Sequence, residues 1–279
     1  MPARYPERIV CLTEESTETL YLLGEERRIV GISGYTVRPP HARREKPRVS
    51  AFLSAKTEKI LALKPDLVIG FSDLQADIAR DLTKAGLNVL IFNQRSVQQI
   101  LDTILALAAL VGAADKGAAL VKKLEDGLSE IRESAKAFPY RPRVYFEEWD
   151  EPMISGIRWV SELVEIAGGE DIFAEQSHSQ AATGRVVSDP GFVIRKSPDL
   201  ILASWCGKKF RPERVQARPG WQQIPAVQNS ELHEIKSADI LQPGPAALTD
   251  GVRQIHALLA GYVRRFSDRA SGIRAQAAR

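Results

Sequence analysis

Ile60-Leu61-Ala62-Leu63-Lys64-Pro65-Asp66-Leu67-Val68-Ile69-Gly70 and, 133 residues further on, Val193-Ile194-Arg195-Lys196-Ser197-Pro198-Asp199-Leu200-Ile201-Leu202-Ala203 are two versions of one phrase. Each begins as an apolar helical turn and stops at proline, whose ring lacks an N–H and disfavours the α region for the residue before it. Asp follows as a turn residue. Leu-Val-Ile or Leu-Ile-Leu then makes a continuous apolar run, the pattern of a strand buried on both faces of a parallel sheet. Each copy predicts the end of a crossover helix feeding a central strand.

The repetition extends upstream. Arg8-Ile9-Val10-Cys11-Leu12 with Glu14-Glu15 parallels Arg143-Val144-Tyr145-Phe146 with Glu147-Glu148, a strand with an acidic pair at its end. Thr19-Leu20-Tyr21-Leu22-Leu23-Gly24 parallels Leu163-Val164-Glu165-Ile166-Ala167-Gly168, a helix closed by glycine. Three blocks in one order predict two similar lobes, and two lobes imply a cleft.

At 279 residues and 44% hydrophobic content the chain has enough material for two domains. No run of 18 apolar residues exists, so nothing is predicted to span a membrane. The first eight residues show no apolar export segment, which predicts either a cytoplasmic protein or a chain whose signal has been removed. Two cysteines do not make a disulfide framework; Cys11 reads as a small buried hydrophobe, and Cys206 follows a strand without a catalytic partner. Five arginines against Asp268 give residues 264–279 a net +4, which leaves the remainder at −1. Nucleic-acid binding is therefore not expected, because no basic stripe is interleaved with aromatics.

Alternating patterns predict strands near 8–12, 28–33, 67–70 and 88–92, with helices at 16–23, 56–63 and 74–84 and one from Ser96 to about 111. Residues 35–47 read as a Pro- and Arg-rich loop. Leu120, Val121, Leu124, Leu128 and Ile131 mark one face of a long helix. The resulting division is a lobe at 1–113, a connecting helix at 114–138, a lobe at 139–265 and a basic, unstructured tail at 266–279. The fold class is α/β, two lobes with mostly parallel sheets joined by one long α-helix.

Ligands of parallel sheets bind beyond the carboxyl ends of the strands. Those ends supply Glu14, Glu15, Tyr35, Phe71, Asn93, Gln94 and Arg95 in the first half, and Glu147, Glu148, Trp149, Ser204 and Trp205 in the second. Indoles after strands suit stacking on a flat ligand, so Trp149 and Trp205 are expected to face it, and Trp159 and Trp221 to fill the core. The acidic pairs are expected to be solvated. His41, His178, His233 and His256 are scattered without metal-site spacing, and no phosphate loop or nucleophile elbow is present.

These phrases, with Pro6-Glu7-Arg8-Ile9-Val10, Ala167-Gly168-Gly169 and Pro219-Gly220-Trp221 before Ile224-Pro225-Ala226-Val227, resemble the substrate-binding proteins of ABC importers for vitamin B12, siderophores and haem, the class III, single-helix-linked type. Val144 to Trp149 with Gly156-Ile157-Arg158-Trp159-Val160 is most similar to the cobalamin-binding branch. The resemblance implies a monomeric, non-enzymatic protein without a cofactor or resident metal that captures cobalamin or another corrinoid. Stacking then falls to Trp149, Trp205, Phe71 and Tyr35, and polar contacts to Glu15, Asn93, Gln94, Glu148, Ser204 and Arg211. It further implies docking on an ABC permease through an exposed acid on each lobe. Asp73 or Asp77 fits on the first, but Gln242 stands where the second is expected. The alternatives are a ferric-siderophore or haem binder of the same fold, and a cytoplasmic tetrapyrrole enzyme of chelatase type.

Overall fold

In a computed structural model the chain is described over residues 5–277, with side chains described as far as 266. It divides into two compact units, Met1–Glu125 with Gln242–Ala246, and Asp126–Leu241 with Ala247–Arg279. The division falls inside the long helix Ala114–Ala135. The final helix, Val252–Ala277, continues past position 266, where the sequence suggested a separate tail. Residues 1–4 and 278–279 lie outside the described part, as do the side chains that carry most of the expected basic tail.

The first unit is built on β1 (Ile9–Cys11), β2 (Ile29–Ser33), β3 (Arg48–Ser50), β4 (Leu67–Phe71) and β5 (Val89–Phe92). All are parallel, in the order β3-β2-β1-β4-β5. Successive side chains of a strand point to opposite faces, and this period of two divides Ile9 to Leu12 cleanly. Ile9 and Cys11 join Leu20, Ile32, Ile69 and Leu107 in one apolar cluster, while Val10 and Leu12 join Val49, Ile60, Val68 and Leu82 in another. Cys11 is the buried hydrophobe expected, with burial pushing its thiol up to about 12. Ser96 Oγ accepts from the Gln99 N–H and so caps the helix Val97–Leu110. The loop expected at 35–47 instead contains the short helix Ala42–Glu45 and leads into β3, three residues too short to show a period.

The second unit contains β6 (Arg143–Asp150), β7 (Met153–Ser155), β8 (Glu170–Asp171), β9 (Leu200–Ala203) and β10 (Leu232–Glu234). Its path is β10-β9-β6-β7, with β8 paired to β6. β7 runs antiparallel to β6, so this sheet is mixed. β6 extends through Glu147, Glu148 and Trp149, whereas the sequence pattern places them just beyond a strand.

The repeated phrase acts identically in both units. Lys64 and Ser197, just before the prolines, take left-handed φ of 46° and 44°, which ends each helix and turns the chain. Asp66 N–H then donates to Arg8 O, and the Asp66 carboxylate accepts the Glu7 and Arg8 N–H groups. Asp199 N–H likewise donates to Arg143 O while its carboxylate accepts the Arg143 N–H. The aspartate fastens the start of its own strand to the neighbouring one, which sets the registers Ile9↔Leu67 and Val144↔Leu200.

Candidate ligand-binding site

At the carboxyl ends of the first sheet, β1 passes into the helix Glu14–Leu22, and its acidic first turn is buried rather than solvated. A helix N-terminus favours negative charge, but burial opposes it more strongly here. Burial and then the charge of Glu15 push the Glu14 carboxyl up to about 8; burial pushes Glu15 up to about 7, against a hydrogen bond from Thr13 Oγ1. One oxygen each of Glu14 and Glu15, and Gln94 Oε1, are buried without a hydrogen-bond partner. Glu18 accepts from Arg38 Nε at 2.9 Å and from the Ala246 N–H at 3.1 Å.

Three large apolar side chains stand exposed in the loops that follow the other strands of this sheet. Tyr35 after β2, Leu53 after β3 and Leu74 after β4 are 57%, 68% and 58% exposed. Gln75 ties two of these loops together, since its Oε1 accepts the Phe71 N–H and its Nε2 donates to Phe52 O. Ser72, at φ 66°, accepts from the Leu74 N–H and turns the chain out of β4. Leu53 and Leu74 escaped the sequence reading because a lone leucine in a loop carries no pattern.

The carboxyl end of the second sheet is a network of matched charges. Glu147 is fully buried and receives both Nη atoms of Arg218 at 2.6 and 2.9 Å, the Trp205 indole N–H at 2.9 Å and the Tyr145 hydroxyl at 3.0 Å. Burial, then the Glu147 charge, push the Tyr145 phenol well above its usual value. Glu148 takes a two-pronged contact from the buried Arg185, whose Nη1 also reaches Ser155 O. Asp150 pairs with Lys208 and with Arg214 at 2.7 Å. Lys208 Nζ stands 3.8 Å from the centre of the Trp149 ring.

Of the residues expected to contact ligand, Tyr35, Asn93 and Arg211 are exposed and Trp149 is half-buried. Three of the expected contacts are buried in this structure. Trp205 is 1% exposed and belongs to the second unit's core with Phe210 and Trp221, because its N–H is committed to Glu147. Phe71 is buried with the Arg95 guanidinium over its ring at 5.0 Å. Ser204 is buried and donates to Ser237 Oγ. Glu15 and Gln94 are buried but keep an unpartnered acceptor, whereas Glu148 is committed to Arg185. Trp159 and Trp221 fill the core as expected.

Asp73 pairs with Arg95 at 3.0 Å and Asp77 with Arg80; both aspartates are exposed. Gln242, assigned by the sequence reading to the second lobe, lies in the segment that packs with the first unit, where Gln94 Nε2 donates to Pro243 O. The histidines stay apart: His41 packs edge-on against Tyr21, His178 sits in a 3-10 turn, His233 meets Glu231, and His256 contacts Ser134 and Ala167 O. Among the described residues no cluster of three His, Cys, Asp or Glu is placed to hold a metal, and no helix is long and apolar enough to cross a membrane.

Two repeated α/β units, each offering polar and aromatic side chains at the carboxyl ends of its strands, are the build of a solute-capturing protein. The chain belongs to the periplasmic binding protein family, whose model matches residues 9–238. It is 26% identical over 259 residues to an uncharacterized ABC transporter substrate-binding lipoprotein of Bacillus subtilis, covering 90% of this chain and 79% of that one. It is 28% identical over 254 residues to a vitamin B12-binding protein of Vibrio cholerae, covering 89% and 87%. The crystal structure of the periplasmic vitamin B12 binding protein of Vibrio cholerae matches with a TM-score of 0.71 at 25% identity, over 92% of this chain and 98% of that one. The α/β fold read from the repeated phrase, and the single-helix-linked class that the resemblance implied, are the fold found.

Proposed function

We propose that this protein captures a corrinoid, cobalamin or a close relative, for an ABC importer, and that it catalyses no reaction. The observation that carries the reading is the 28% identity to a vitamin B12-binding protein over nearly the whole of both chains. The strand ends support it. A corrinoid is a broad ring fringed with amides: Tyr35, Leu53 and Leu74 offer apolar area at the first unit, and Trp149 an indole at the second. Glu14, Glu15 and Gln94 offer buried acceptors for amide N–H groups, an exchange that relieves the cost of leaving them unpaired. Asp73 and Asp77, both exposed, are the proposed contacts to a permease.

The test is titration of cyanocobalamin, and separately of haem, into the protein while tryptophan emission is followed. Saturable quenching by cobalamin at micromolar concentration, weakened at least tenfold in Trp149→Ala, is the expected result. Saturation by haem alone moves the assignment to the haem-binding alternative. Metal insertion into a tetrapyrrole, abolished in His178→Ala, would establish the chelatase reading instead.

A further inference from the structure

The first unit carries a second concave feature at its β3 edge, among residues that the solute-binding reading does not use. A cleft of about 510 Å³ is lined by Arg43, Lys46, Arg48 and Lys59, with Pro47, Ala62 and Leu63 as its apolar wall. No acidic side chain lines it. Residues 36–64 hold eight lysines and arginines against Glu45 and Glu58, a net +6, twice the formal +3 of the entire chain.

Five other cations of this unit stand in ion pairs. Arg28 and Lys116 pair with Glu25, Arg38 with Glu18, Arg80 with Asp77 and Arg95 with Asp73. Among the described residues, none of the four cations in the cleft forms such a pair. The charge of Arg43 is felt by Glu14 without an ion pair, Lys46 spends one of its three donors on Glu26 O, and Glu45 is engaged by the Tyr21 hydroxyl. Like charges held together in a concavity repel one another and focus a positive field outward. Guanidinium and ammonium groups at such a place suit phosphate oxygens, as a forked contact from arginine and a point charge from lysine.

We infer that the β3-edge cleft binds a phosphate group borne by an organic molecule, whose apolar portion lies on Pro47, Ala62 and Leu63. A soluble phosphoester and the headgroup of an anionic lipid share this chemistry, and the test separates them. Inorganic pyrophosphate is titrated calorimetrically into the full chain at low ionic strength. In parallel, the chain is sedimented with vesicles of phosphatidylglycerol and with vesicles of phosphatidylcholine. Both assays are repeated on R48E/K59E and on K84E/K123E, which makes the same charge change at exposed positions outside the cleft; circular dichroism checks that both fold.

Saturable pyrophosphate binding, reduced at least tenfold in R48E/K59E but not in K84E/K123E, assigns the cleft to a soluble phosphoester. Selective sedimentation with phosphatidylglycerol, lost in the same variant, assigns it to a lipid headgroup. No binding to either probe, or equal losses in the two variants, overturns the inference. Cobalamin quenching should be unchanged in R48E/K59E, so failure here is distinct from failure of the solute assignment.

Discussion

The two sheets end in opposite ways. In the second unit every acid at the end of β6 is met by a cation: Glu147 by Arg218, Glu148 by Arg185, and Asp150 by Lys208 and Arg214. In the first unit, Glu14 and Glu15 are buried with an unpaired oxygen each, while unpaired cations collect at the β3 edge instead. The same strand logic has produced one end whose acids are ion-paired and one where Glu14 and Glu15 are not. The consolidated end is suited to holding Trp149 in place; the unsatisfied end is suited to exchanging hydrogen bonds with an incoming group.

Breaking the consolidated end should have the largest effect. Arg218→Ala leaves Glu147 buried beside Trp205 and Tyr145 without its counter-ion, which costs about 3–5 kcal/mol. Urea unfolding should show that loss. The double variant Glu147→Gln/Arg218→Met removes both charges and should recover most of it. A loss in Arg218→Ala below about 1 kcal/mol would mean that Glu147 is not held by this pair.

The unsatisfied end should respond to pH in a defined direction. Glu14 and Glu15 bind protons more tightly folded, at about 8 and about 7, than at their usual value of 4.5. The native state therefore holds more protons than the unfolded one between roughly pH 4.5 and 8, and stability falls as pH rises through that window. Glu14→Gln removes the penalty. It should stabilise the protein by on the order of 2 kcal/mol at pH 8.5 and change little at pH 4. Thermal melts at the two pH values check this, and a variant equally stabilised at both would show that packing, not charge, is responsible.

A smaller effect tests the loops after β3 and β4. Gln75→Ala deprives the buried Phe71 N–H and Phe52 O of their shared partner, at a cost of about 1–3 kcal/mol. Hydrogen exchange should then quicken in residues 52–54 and 71–75 while β1 and β5 keep their protection. Uniform quickening would mean that Gln75 supports the whole sheet rather than the two loops.

The contrast between the ends also marks how far the sequence could be read. The helix-proline-aspartate-strand phrase is local, so strands β4 and β9 and their helices followed from it. Counter-ions are not local: Arg218 lies 71 residues from Glu147, and nothing near Glu147-Glu148 signals that the strand continues through a neutralised acid. The burial of Trp205 is illegible for the same reason, since its indole N–H is held by a partner 58 residues away. Glu14-Glu15, an identical dipeptide to Glu147-Glu148, ended up without matching cations, which no local pattern distinguishes. The same holds just past β5, where Asn93 is exposed and its neighbour Gln94 is buried and donates to Pro243 O, a partner 149 residues away.

The smallest expected effect sharpens the comparison most. Asp150 is buried and has two cations, so losing one should be tolerated where the loss of Arg218 is not. Lys208→Met keeps an unbranched side chain of similar length, leaves Arg214 on Asp150, and removes a cation–π contact at a half-buried ring. The cost should be about 1 kcal/mol. Trp149 emission should shift, because the ammonium 3.8 Å from its ring centre is gone, whereas buried Trp221 should not respond. A loss as large as that of Arg218→Ala would show that Lys208 and Arg214 act as one unit on Asp150, making the second sheet's end a single cooperative network rather than three separable pairs.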